Sequence, residues 1–251
     1  MRDVRPRAVA LALAAVLAVA GLGWLAHRTL YAPVPVTDLR PGPGGTPPLS
    51  VPLAPPLGVV PKLDDTGVPT LVPAWVRRTA RVTGIPRAAV RAYARAELTA
   101  PDGCGLGWTT LAGVGWVESH HGTLGGRTLR ADGRSSSTIL GPALDGAGPF
   151  AAIPAAPGFV RWHGDPTWDH AVGPMQFIGE TWARWAVDGD RDGVRDPTDL
   201  DDAAATAAAY LCARGGDLAT SDGWTAGLWA YNQSSEYLRA VHDAATGYGT
   251  R

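Results

Sequence analysis

Leu111-Ala112-Gly113-Val114-Gly115-Trp116-Val117-Glu118-Ser119-His120-His121-Gly122 sets a single carboxylate inside an apolar, glycine-rich run. Read as a helix that begins near Trp108, the run places Leu111, Val114 and Glu118 at i, i+3 and i+7, on one face. The carboxylate therefore points inward with the apolar side chains. Burial disfavours the charged form, so Glu118 is expected to hold a proton near neutral pH, as a general acid must. Gly113 and Gly115 each cost a helix interior about 1 kcal/mol relative to Ala, and they imply that something packs close against this backbone. These residues alone leave a second reading open, an inward Glu paired with an Arg as a structural ion pair.

Around this helix the punctuation of the chain marks others. Pro73 fits the first turn of a helix to about Val82 closed by Gly84, and a second helix is predicted from Pro86 to Glu97. Helical pattern returns at Gly179–Val187 and at Leu200–Arg214, where Leu200, Ala204, Ala207, Ala208 and Leu211 share a face and Gly215-Gly216 ends it. Two more helices are predicted at Asp222–Tyr231 and Ser235–Ala244. Between Gly122 and Val172 the pattern dissolves into Gly, Ser, Pro and scattered aromatics, longer than an ordinary connection and so expected to be a functional loop or disordered. The fold class is mostly α.

The 251 residues and formal net charge of -1, with a pI near 6.6, allow one ordinary domain with appendages. Near-neutral charge with no basic stripe argues against a nucleic-acid partner. Residues 1–30 carry Arg2, Arg5 and Arg7 and then an apolar run from Ala8 to Ala26, close to the length that crosses a bilayer. We read an uncleaved transmembrane anchor with the rest of the chain outside the cytoplasmic membrane; Ala18-Val19-Ala20 would serve as the cleavage site of a secretory signal in the alternative. No Cys adjoins the segment, which excludes a lipoprotein. Residues 31–72 are dense in Pro and Gly and read as an extended linker, because so many prolines would interrupt strand ladders. The folded domain is expected over 73–251. Cys104 and Cys212 are the only cysteines, and in an exported chain they are expected to form a disulfide closing a loop of about 100 residues.

Four short elements follow in order: Glu118-Ser119, Gly173-Pro174-Met175-Gln176-Phe177, an acidic loop from Asp188 to Asp199, and Ala230-Tyr231-Asn232. Together with Asp169-His170-Ala171-Val172 and Thr181-Trp182, their order and spacing resemble the lytic murein transglycosylases, particularly the membrane-bound type B group. The resemblance spans about Trp108 to Tyr237. It implies a lysozyme-like (transglycosylase SLT-type) helical domain with a long active-site loop. It also implies non-hydrolytic cleavage of the β-1,4 bond between N-acetylmuramic acid and N-acetylglucosamine in peptidoglycan glycan strands. Glu118 would protonate the leaving oxygen and then, as carboxylate, take the proton of the muramoyl C6 hydroxyl, closing a 1,6-anhydro ring. The same resemblance assigns Gln176 to the sugar groove, the Tyr231 hydroxyl to Glu118, and Asn232 and Ser119 to substrate.

Independently, a conventional glycosidase needs two carboxylates. Glu97, Glu180 and Glu236 lack a comparable apolar setting, while Asp145, Asp165 and Asp169 lie in the long loop and keep a hydrolytic muramidase open as an alternative. A non-catalytic peptidoglycan-binding module is the other. Phe150, Phe159, Trp162 and Trp168 are candidate sugar platforms or core residues. His120 and His121 have no third ligand at zinc spacing. No cofactor is required by this chemistry, and the domain is expected to act as a monomer. The acidic loop places Asp188, Asp190 and Asp192 at positions 1, 3 and 5, Gly193 at 6, the Val194 carbonyl at 7 and Asp199 at 12 of an EF-hand-like loop. This predicts a structural calcium ion. The alternative is a solvated turn in which Asp199 caps the following helix.

Overall fold

The computed structural model describes residues 49–148 and 151–251; the anchor expected over Met1–Ala26, the first part of the linker, and Phe150 lie outside them. Among the described residues no helix is long and apolar enough to cross a membrane. The architecture is mostly α, with two small antiparallel β-ribbons.

The first ribbon, β1 (Val59–Leu63) with β2 (Pro69–Leu71), lies in the stretch expected to be an extended linker. That expectation fails from Leu49 onward. In a two-stranded ribbon both strands are edges, so a strand can contain a proline such as Pro69 without breaking an interior ladder. Residues ahead of the ribbon also pack on the domain: the Leu49 N–H donates to Thr225 Oγ1 at 3.1 Å, and the Leu53 and Pro55 carbonyls accept from Thr109 Oγ1 and Trp108 Nε1.

Helix α1 (Pro73–Thr83) begins on its proline and ends at Gly84, whose left-handed φ of 77° lets its N–H bond back to Ala80. Then come α2 (Arg87–Leu98) and α3 (Trp108–Ser119), the helix that carries Glu118. The described residues of the long loop carry secondary structure of their own. The loop contains the ribbon β3 (Leu140–Ala143) and β4 (His170–Val172), in register Leu140 to Val172 and Ala143 to His170, and a single helical turn, α4 (Val160–His163). The chain closes with α5 (Gly179–Trp185), α6 (Leu200–Gly215), α7 (Ser221–Tyr231) and α8 (Ser235–Gly249). Helix α8 runs past the predicted end at Ala244 because Ala245, Tyr248 and Gly249 are buried, so packing carries it through two glycines.

Helix α6 packs against α2 and α7, with Ala203, Ala204, Ala207 and Ala208 buried along it, while α3 packs against α2 and α8. Leu111, Val114, Val90, Tyr93, Trp224, Leu228, Leu238 and Val241 meet in the resulting core. The disulfide is formed: Cys104 and Cys212 bond with Cα atoms 5.4 Å apart, tying the approach to α3 to the last turn of α6.

Candidate active site

Helix α3 is buried from Trp108 to Gly115, and its two glycines are places of close approach. A Cβ at Gly113 would stand 2.6 Å from the Val241 carbonyl oxygen of α8, and one at Gly115 would collide with the Tyr93 hydroxyl of α2. At the start of α3, where helical N–H groups lack partners, the Glu97 carboxylate accepts from the Trp108 N–H at 2.5 Å. Burial raises the pKa of Glu97, and that hydrogen bond opposes the rise.

Glu118 sits in the last turn of α3, half-buried, with its Oε1 accepting from the Tyr237 hydroxyl of α8 at 2.7 Å. Removal from water raises its pKa to about 7 against the opposing pull of that bond. No arginine pairs with it among the described residues, so the structural ion pair is not what this Glu forms. Burial first, and then the nearby Glu118 charge, hold the Tyr231 and Tyr237 hydroxyls well above their ordinary range, so both remain hydrogen-bond donors.

Tyr237 takes the place that sequence reading gave to Tyr231. The Tyr231 hydroxyl instead donates to the Met175 carbonyl at 2.8 Å, and its ring stacks parallel on Tyr237 with centroids 6.3 Å apart. Tyr231 thus braces both the turn that holds Gln176 and the tyrosine that touches Glu118. A signal for Tyr237 was present, since Tyr237, Val241 and Ala245 recur at i, i+4 and i+8 on the buried face of α8.

Ser119, which the resemblance assigns to substrate, is turned into the protein. It is buried, donates to the Pro174 carbonyl at 2.6 Å and accepts from the Gly122 N–H at 2.8 Å, fastening the end of α3 to the Gly173–Phe177 turn. Gln176 lies in that turn with a left-handed φ of 51°. Its amide donates to the Gly173 carbonyl at 2.9 Å, and its Oε1 lies beside Gly141 of β3. Its side chain is half-buried at the edge where the β3–β4 ribbon meets the end of α3. Asn232 ends α7, with its N–H bonded to Leu228, and stays partly exposed beside Tyr231.

The three loop aspartates are engaged by backbone N–H groups of the loop and of the first residue of α5. Asp145 accepts from the Ala147 N–H, and Asp165 from the Thr167 and Trp168 N–H groups. Asp169 is buried and accepts from the Gly179 and His170 N–H groups. Of the aromatic candidates, Phe159 is core, while Trp162 and Trp168 are half-buried.

The acidic loop converges differently from its predicted ligand order. Asp188, Asp190 and Asp202 each offer an oxygen within 4.8 Å of the others. Asp188 Oδ1 is buried without a hydrogen-bond partner. Asp192 turns away to the Val194 N–H, and Val194 lies exposed at the outer edge. Asp199 caps α6 through the Asp201 N–H at 2.9 Å and pairs with Arg134 at 3.4 Å, so the helix start presents Asp202, three residues on, to the loop instead. Burial, compounded by neighbouring carboxylates, raises Asp199 and Asp202 to about 7.

Two solved structures of the Escherichia coli lytic transglycosylase Slt35 align with this chain at 16% identity. The complex with bulgecin A gives a TM-score of 0.45 over 72% of this chain and 75% of that one. The complex with calcium gives 0.44 over 72% and 76%. No curated protein sequence matches the chain. Residues 164–225, the segment that runs from the end of the long loop through Gln176 and the acidic loop into α7, match the family model of the transglycosylase SLT domain.

Proposed function

We propose that this chain is a peptidoglycan lytic transglycosylase in which Glu118 acts first as acid and then as base. The carrying observation is a lone carboxylate, raised to about 7, whose hydrogen-bond partner is a tyrosine hydroxyl. Protonated Glu118 gives its proton to the oxygen that links N-acetylmuramic acid to N-acetylglucosamine as the C1–O bond breaks. The carboxylate left behind accepts the proton of the muramoyl C6 hydroxyl while that oxygen bonds to C1. Atoms balance without water, and the product end is 1,6-anhydro. The Tyr237 hydroxyl stabilises the carboxylate between the two transfers. Gln176, at the rim of the same turn, lines the groove for the sugar. Replacing Glu118 by Gln should abolish release of anhydro fragments from peptidoglycan while leaving the circular dichroism spectrum unchanged. Retained cleavage, or products heavier by one water, would refute the assignment.

The finer reading is a membrane-bound, type B-like enzyme. Its support is the arginine-led apolar run up to Ala26 and a disulfide suited to an oxidising compartment. The catalytic domain then works as a monomer outside the membrane. The acidic loop holds a structural calcium ion through Asp188, Asp190 and Asp202. An orphaned buried carboxylate oxygen and a crowd of hard oxygen donors fit such an ion, which would neutralise their mutual repulsion. An unchanged melting temperature on adding calcium or chelator would refute it.

A further inference from the structure

We propose that His121 is a positioning residue for Glu118, a role that rests on the assignment of Glu118 above. His121 is buried, with Nδ1 3.1 Å from the Tyr93 hydroxyl and Nε2 2.9 Å from the Tyr248 hydroxyl. A neutral imidazole has one N–H donor and one lone pair, and a tyrosine hydroxyl can donate or accept. Either tautomer therefore satisfies the whole Tyr93–His121–Tyr248 chain, one tyrosine donating and the other accepting. Tyr93 belongs to α2 and Tyr248 to α8, so the imidazole joins three helices where α3 ends.

The backbone at this point is unusual. His120 and His121 have φ of 51° and 60°, two successive left-handed residues without glycine, and the His121 N–H returns to the Gly115 carbonyl at 2.7 Å. Such conformations persist only where the surroundings over-determine them. Here the ring does so, and the absence of a side chain at Gly115 gives the Tyr93 hydroxyl the room to reach it. Helix α8 carries Tyr237 in its first turn and Tyr248 in its last. Clamping the second end sets the helix that delivers the Tyr237 hydroxyl to Glu118.

Steady-state cleavage of soluble glycan strands across pH, with thermal melting, tests this in Tyr248→Phe, His121→Asn and His121→Gln. Asn keeps the left-handed preference but cannot span both hydroxyls, whereas Gln retains a donor and an acceptor. In Tyr248→Phe and His121→Asn, kcat should fall roughly 10- to 100-fold, as misplacement of a reacting group does. KM should stay within about twofold. The alkaline limb of the kcat profile should move to higher pH as the Tyr237 hydroxyl loses its place against Glu118, and Gln should recover part of the loss. Should His121→Asn fail to fold, Tyr248→Phe, which removes one oxygen, decides. Wild-type kcat and an unmoved limb in Tyr248→Phe, with only a lower melting temperature, would overturn the proposal. Cleavage by Glu118→Gln would instead overturn the assignment of Glu118, and the role of the clamp with it.

Discussion

Replacing Tyr237 by Phe removes the hydroxyl that donates to Glu118 Oε1 at 2.7 Å and leaves the ring stacked on Tyr231. A hydrogen bond to a charged group is worth about 1.5–3 kcal/mol. At 1.36 kcal/mol per decade this is roughly 10- to 100-fold in rate. The sign follows from which form of Glu118 the bond favours. Tyr237 stabilises the carboxylate and so opposes the desolvation that raises Glu118 to about 7. Without it Glu118 is a weaker acid, its pKa rises further, and donation to the glycosidic oxygen becomes harder. On the acid plateau kcat should therefore fall by that factor, while the alkaline limb moves to higher pH. Tyr231→Phe should leave the limb in place, because that hydroxyl serves the Met175 carbonyl. The assay is the pH dependence of anhydro-product release at saturating peptidoglycan, measured for both variants. A limb that moves in Tyr231→Phe and stays fixed in Tyr237→Phe would refute this reasoning and restore the order read from sequence.

Gly113→Ala would drive a Cβ to 2.6 Å from the Val241 carbonyl, a backbone atom that cannot swing aside. Overpacking of this kind should cost about 1–3 kcal/mol, read from chemical denaturation. Replacing Cys104 and Cys212 by Ala opens a loop of 108 residues. The chain-entropy relation then gives a loss of about 4–5 kcal/mol, visible as a lower denaturation midpoint in the same assay. The raised values of Asp199 and Asp202 mean that the metal-free fold binds more protons than the unfolded chain between about pH 4 and about 7. In chelator the melting temperature should therefore fall as pH rises through that window, and calcium should flatten the slope.

Glu118 was legible because its conflict is local: one carboxylate on the apolar face of one helix. Helix ends at Pro73, Gly84 and Gly216 were legible for the same reason, since capping needs only neighbouring residues. Tyr237 was not, because its role depends on how α8 crosses α3, where Gly113 meets Val241, 128 positions away. Tyr231 was misassigned because order along the chain places it beside Asn232 but does not say which carbonyl its hydroxyl meets. The acidic loop shows the same limit. Loop spacing pointed to Asp199, but once Asp199 caps α6 the carboxylate that turns to Asp188 and Asp190 is Asp202. The β1–β2 ribbon was hidden because the argument from proline holds for interior strands and not for edges.

Both ends of α3 are fastened, and this bears on how one carboxylate can do two jobs. Glu97 holds the first N–H, and the Leu53 and Pro55 carbonyls hold the Thr109 and Trp108 side chains. Ser119 and His121 hold the last turn. Enzymes with two carboxylates separate acid from base by giving each its own environment, pushing one pKa up and leaving the other low. A single group has no such division available. Its best value lies near the working pH, where neither the protonated nor the ionised form is strongly disfavoured. A Glu in apolar surroundings would drift higher without a donor, and one open to water would relax toward the ordinary value. The rigid frame around α3 holds Glu118 between these limits, with burial raising it and the Tyr237 hydroxyl restraining the rise, at about 7. On the proposed mechanism, burial and one hydrogen bond acting in opposite senses on a single side chain supply the alternation that other glycosidases obtain from two carboxylates.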